Sequence, residues 1–260
     1  MKNILLAGVA LLASVAVASA ADLPSRKSAP LAPVFAQYNW TGFYAGVHAG
    51  YGFGDNDTSL IGSSAAFNPA VNAGVVPRSF GGDVDGFIGG GQIGYNHQMG
   101  SIVLGVEGDI SFSDVKGTRT VALPGAGGFA PSLSSSKQEM DWFGTARVRA
   151  GFTPVDRLLL YVTGGLAFGD VKTSTRVTFN PIAAGDFFGA SSDTRTGWTV
   201  GGGLEYGFTK NLTFKTEYLY YDLGDKNVTL TDPVRFPGTS VVYKDETKGH
   251  IVRAGVNYKF

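Results

Sequence analysis

From Trp40 onward, apolar and polar residues alternate with a period of two, and the helical period is missing. In the first segment Phe43, Ala45, Val47, Ala49, Tyr51 and Phe53 share one face, and Tyr44, Gly46, His48, Gly50 and Gly52 share the other. Seven further segments repeat the pattern around Phe87–Asn96, Ile102–Phe112, Trp142–Phe152, Leu160–Phe168, Trp198–Phe208, Leu212–Tyr220 and Val252–Phe260. Each covers roughly the 9–11 residues that a tilted strand needs to cross a bilayer. Three connections are short, around Met99-Gly100-Ser101, Thr153 to Arg157 and Thr209-Lys210-Asn211. Four are long, about 54–86, 113–139, 170–194 and 222–248. Short and long alternate strictly, and a membrane barrel with tight periplasmic turns and long external loops has this asymmetry. The prediction is an all-β protein: a closed, up-and-down, eight-stranded antiparallel transmembrane β-barrel, with both termini on the periplasmic side.

The charged face decides which side meets lipid. A soluble eight-stranded barrel turns its apolar face inward, whereas a membrane barrel inverts the order. The polar face carries Glu107, Asp109, Arg147, Arg149, Glu205, Lys215, Glu217 and Arg253, four acids and four bases. Counted from the periplasmic strand ends, Glu107 and Arg147 share a height, as do Glu205 and Lys215. A narrow lumen requires such balance, because an unpaired buried charge costs several kcal/mol. These eight residues are therefore expected to form an ion-pair core that fills the barrel, with interleaved glycines making room for long side chains. A proton or ion pathway is the alternative use of the same residues. Aromatic residues near the strand ends, among them Trp142, Phe152, Trp198 and Phe208, predict girdles at the two membrane interfaces.

The N-terminus reads as a processing signal. Lys2 is followed by an apolar stretch from Ile4 to about Val17 and by the small-residue cleavage site Ala18-Ser19-Ala20. Residues 1–20 are read as a signal peptide, 21–38 as a Pro-rich periplasmic tail holding Pro24, Pro30 and Pro33, and 39–260 as the barrel domain. No other stretch is long and apolar enough for a transmembrane helix.

Composition agrees with this reading. The chain has 260 residues, 21 Lys+Arg against 21 Asp+Glu, only 16% charged residues, 38 glycines and no cysteine. Zero net charge gives no reason to expect nucleic acid. The lack of cysteine excludes thiol catalysis and thiolate metal sites, and no cofactor or metal is expected. Mean hydropathy is only +0.07, so the membrane signal lies in alternation and not in apolar runs. Gly89-Gly90-Gly91-Gln92-Ile93-Gly94 fits a dinucleotide fingerprint but lies inside a strand, where no helix follows to bind a pyrophosphate. Asn56-Asp57-Thr58, Asn211-Leu212-Thr213 and Asn227-Val228-Thr229 fit the glycosylation pattern by coincidence. Of the three histidines, His48 faces the lumen, His97 sits by a periplasmic turn and His250 lies at the outer end of the last strand. None is grouped by the pattern with a serine and an acid, so no enzyme is expected.

Several segments together resemble one family. Trp40-Thr41-Gly42-Phe43-Tyr44, Gly91-Gln92-Ile93-Gly94-Tyr95-Asn96, Gly105-Val106-Glu107-Gly108-Asp109, Arg147-Val148-Arg149-Ala150-Gly151, Tyr161-Val162-Thr163-Gly164-Gly165 and the Phe260 ending are similar to the small outer-membrane immunogenic proteins of alphaproteobacteria, the RopB type with an OmpA-like barrel. The likeness covers roughly residues 38–260, and the long loops match no named pattern. A terminal Phe260 behind alternating apolar residues resembles the signal read by the barrel assembly machinery. The family implies a bacterial outer-membrane location, contact with lipid and lipopolysaccharide, support of envelope integrity, and loops that meet a host or surface ligand. A narrow porin-like channel and a loop-mediated adhesin are the alternatives.

Overall fold

The computed structural model describes residues 38–181 and 184–260. The stretch read as a signal peptide, and all of the stretch read as a tail except Tyr38, lie outside the described residues. Eight strands, β1 (Gly42–Ser63), β2 (Ser79–Met99), β3 (Ile102–Leu123), β4 (Ser132–Val155), β5 (Leu158–Phe179), β6 (Asp186–Gly207), β7 (Leu212–Thr231) and β8 (Ser240–Lys259), form a closed barrel in sequence order. Closure joins β1 to β8 antiparallel, from Tyr44 opposite Lys259 up to Ser63 opposite Val241, so the sheet has no free first or last strand. Two of the periplasmic turns rest on left-handed residues, Gly100 at φ 63° and Arg157 at φ 65°. In the third, the Thr209 hydroxyl accepts hydrogen bonds from the Asn211 and Leu212 amides.

The strands run 20–24 residues, about twice the expected length. The long external excursions are present, but most of their residues continue the strands. Only 64–78, 124–131, 180–185 and 232–239 connect them, and the first holds a short helix, α1 (Asn68–Asn72). At five residues α1 is too brief to leave a helical period in the sequence. The extra strand length has a physical origin in a reversal of polarity. On β1 the outward apolar stretch runs from Phe43 to Phe53, and Phe112 on β3 is 83% exposed. Above that belt the outward residues become polar: Asp85 on β2, Asp114 and Lys116 on β3, Lys172 and Arg176 on β5. The inward residues there become apolar, as at Val171, Val177 and Phe179 on β5. Alternation therefore persists while its sense inverts, because the surrounding solvent changes from lipid to water. A search for outward apolar residues misses the continuing strand.

The inward face is layered. At the periplasmic mouth Tyr38, Trp40, Val103, Leu159 and Tyr161 form a buried cluster. An ionic layer follows. Next comes an apolar layer that includes Val84, Ile88, Phe143, Leu219, Tyr221 and Ile251. A second ionic layer lies beyond it, and an external apolar layer that includes Phe67, Phe80, Phe187, Leu230 and Tyr243 completes the stack. At the bilayer level, the aromatic side chains Phe43, Tyr51, Phe53, Phe87, Phe112, Phe152, Trp198, Phe208 and Tyr258 are exposed on the outer surface, where amphipathic and apolar rings suit the membrane interfaces.

Candidate functional site

All eight charged residues singled out from the sequence face the lumen and are buried. They form one connected network. Arg147 sits at its centre: Nη2 donates to Glu107 and lies 3.1 Å from Asp109 Oδ2, and Nη1 lies 3.0 Å from Glu217 Oε1. Arg253 bridges two of these three acids from β8, 3.0 Å from Asp109 Oδ1 and 2.6 Å from Glu217 Oε2. Lys215 lies 2.9 Å from Glu107 Oε1 and 3.0 Å from Oε2. Arg149 reaches Glu205 at 2.8 Å and stacks 4.0 Å from the centre of the Tyr161 ring.

The strand register places Glu107 opposite Arg147, Glu205 opposite Lys215 and Glu217 opposite Arg253. One of these facing pairs is not an ion pair. Lys215 crosses the lumen to Glu107, while Glu205 takes Arg149 from β4. Matching heights along neighbouring strands therefore locate the layer without fixing its partners. In so narrow a barrel a long side chain reaches strands on the far wall as readily as its neighbour.

Uncharged groups supply the remaining hydrogen bonds. Tyr44 Oη donates to Glu107 Oε2 at 2.7 Å, Tyr161 Oη to Glu217 Oε1 at 3.1 Å, Thr145 to Asp109, and Asn257 Nδ2 to Glu205 Oε1 at 2.9 Å. Tyr44 fits because its neighbour on β2 is Gly94, where a Cβ would land on the Tyr44 hydroxyl. An opposite charge together with a neutral donor is the arrangement that offsets the desolvation of a buried carboxylate.

His48 has one partner that the sequence pattern did not show. Its Nε2 is 2.7 Å from Ser111 Oγ, so a serine does lie beside a histidine. The other ring nitrogen faces Gln92 Oε1 at 3.1 Å instead of a carboxylate. Both His48 and Ser111 are buried. His250 stacks on Phe53 at the outer girdle, and Tyr218 Oη lies 2.6 Å from its Nδ1.

Two features lie outside the sequence reading. The first is the second ionic layer. Arg195 Nη2 lies 2.9 Å from Asp245 Oδ2, and Thr58, Gln138 and Thr173 donate to the same carboxylate. Both partners fall in stretches read from the sequence as connections or their edges, so only strand continuity reveals the pair. The second is the periplasmic plug. The Tyr38 and Trp40 rings meet edge to face at 4.7 Å, with the Tyr38 amide bonded to Asp156 Oδ1 and the Trp40 amide to Gln98 Oε1. A Cβ at Gly207 would lie 2.8 Å from the Tyr38 ring, so that glycine makes the space for the plug. Tyr38 closes the stretch read as tail, yet it is as buried as the barrel core. Its aromatic neighbour Trp40 was the available signal.

Phe260 directly follows β8 and is exposed. Its amide donates to the Phe43 carbonyl at 3.0 Å, and its ring meets Tyr258 at 5.2 Å.

Comparison with known proteins agrees with this architecture. A family profile described as "Outer membrane protein beta-barrel domain" matches residues 7–260. The chain is 35% identical over 261 residues to the "31 kDa outer-membrane immunogenic protein" of Brucella melitensis biotype 1, covering 100% of both chains. It is 31% identical over 262 residues to the "25 kDa outer-membrane immunogenic protein" of Brucella abortus biovar 1, covering 100% of this chain and 99% of that one. Among solved structures, the outer membrane protein OprG from Pseudomonas aeruginosa aligns over 85% of this chain and 96% of its own, with 15% identity and a TM-score of 0.47.

Proposed function

Because the chain belongs to the outer membrane protein β-barrel domain family and resides in the outer membrane, we propose that it is a sealed structural barrel that supports the envelope and presents its external strands and loops to host or environment. The observation that carries this reading is the filled lumen. Two ionic layers and three apolar ones occupy its length, and every charge of the central layer is engaged by an opposite charge. A hydrated ion crossing here would have to displace both the ion pairs and the intervening apolar side chains. In such a barrel the lipid-facing belt anchors, and recognition is left to the external segments, whose sequence is free of the bilayer's constraints. The relatives' description as immunogenic fits a surface-exposed product.

Purified full-length barrel added to a planar bilayer is expected to give no reproducible conductance steps at moderate voltage. Regular steps of porin size would overturn the sealed-lumen reading in favour of a channel.

Phe260 serves in this proposal as the mark read by the assembly machinery, since it is 74% exposed and contributes nothing to the lumen. Deleting it is expected to lower the amount of heat-modifiable barrel in cell outer membranes while leaving refolding into detergent micelles unchanged. Wild-type levels in cells would remove that role.

A further inference from the structure

The external end of the barrel contains a cavity of about 200 Å³. All four external connections or the strand ends beside them line it. Phe67, Phe129, Phe179, Phe187 and Phe236 supply most of the wall, and Thr239 supplies the one hydroxyl. Three of the rings are buried, whereas Phe129 and Phe236 are 37% and 39% exposed and stand at the opening. Phe187 meets Phe67 edge to face at 4.6 Å and stacks on Phe236 at 5.8 Å, so the wall is a preformed aromatic lattice. Phe67, Phe179 and Phe187 belong to the external apolar cluster that also holds Val177, Leu230 and Tyr243, and the Arg195–Asp245 layer follows further down the lumen. The cavity is therefore a dead end and not the mouth of a channel.

The charges beside it are spoken for. Arg176 Nε donates to Asp186 Oδ1 at 2.7 Å, Asp232 accepts the Asp186 amide at 2.8 Å, and Arg235 lies 3.6 Å from Asp232. The Arg176 hydrogen bonds hold the Asp186 carboxyl below the ordinary carboxylate range. These contacts tie the β5–β6 and β7–β8 connections together, and none of the described residues lining the cavity is charged. An apolar cavity of about 150 Å³ is enough to hold benzene.

The geometry points to a binding site for a small uncharged molecule with one aromatic ring and a single hydrogen-bonding group, the ring held among the five phenylalanines and the polar group bonded to Thr239. A charged ligand would lose its hydration here without gaining a counter-ion. This site lies at the external end of the filled stack, above both ionic layers, and its existence is independent of the structural role proposed above.

The test uses the full-length barrel in lipid nanodiscs and 4-fluorobenzyl alcohol as the probe, followed by ¹⁹F NMR, with empty nanodiscs correcting for partition into lipid. Saturable binding above the empty discs is expected. Ala130→Phe, which fills the cavity, and Phe236→Ala, which opens its wall, should each weaken binding by about tenfold or more. The anion 4-fluorobenzoate should bind weaker than the alcohol by a similar factor. A heat-modifiability gel establishes that each variant is folded, and either variant alone is decisive. Binding no greater than to empty discs, binding unchanged in a folded variant, or benzoate binding as tight as the alcohol would each overturn the site.

Discussion

Replacing Arg147 by alanine is expected to lower folding stability by about 3–5 kcal/mol, the cost of removing one partner from a buried ionic network. Arg147 touches Glu107, Asp109 and Glu217 at once. Its loss leaves those carboxylates to share Arg149, Lys215 and Arg253. The same reasoning makes the companion variant informative. In Arg147→Ala/Glu107→Ala one of the acids left short of a donor is gone as well, so the double variant should recover part of the loss despite carrying two truncations. Denaturant unfolding in lipid vesicles, followed by tryptophan fluorescence, measures both. A loss below about 1 kcal/mol for the single variant, the size of a solvent-exposed pair, would mean that the lumen is wet and the network weak.

The second large effect tests the reversal of polarity along the strands. Val148 points outward midway along the lipid belt of β4, beside the inward Arg147 and Arg149, and is 65% exposed. Val148→Arg should cost about 2–4 kcal/mol, the penalty for a cation on the lipid face near the bilayer midplane. Ala190 on β6 is exposed as well, but it lies above the girdle, with Ser192 and Thr194 as the next exposed residues toward the membrane. Ala190→Arg should change stability by less than about 0.5 kcal/mol, as surface substitutions do. The same unfolding measurement applied to both gives a direct contrast. Equal costs at the two positions would place the upper strands in lipid too and remove the distinction between membrane and external segments.

These expectations show how unevenly the fold could be read beforehand. In the lower half of each strand the alternation is strong on both faces. Phe43, Val47, Val106, Val148 and Val252 pointed to lipid, and the opposite set held every charge now found in the central layer. A barrel that must satisfy lipid outside and a closed lumen inside leaves little freedom at such positions, so residue type alone identifies them. In the upper half the signal weakens. A run such as Val171-Lys172-Thr173-Ser174-Thr175 alternates as a soluble strand does, with small polar residues on both faces, and a reader following lipid-facing residues takes it for loop. Asp245 and Arg195 were invisible as partners for that reason.

By itself the chain determined the strand number, the strand order implied by alternating short and long connections, the sense of the membrane section and the membership of its ionic core. These depend on local periodicity and on the balance of charge, and both are written residue by residue. Only the tertiary structure decided which acid meets which base, that Tyr38 and Trp40 stop the periplasmic mouth, and that four separate connections converge on one aromatic cavity. Those outcomes depend on the width, tilt and register of the closed barrel. Side chains far apart in sequence are brought across the lumen only when the last strand pairs with the first.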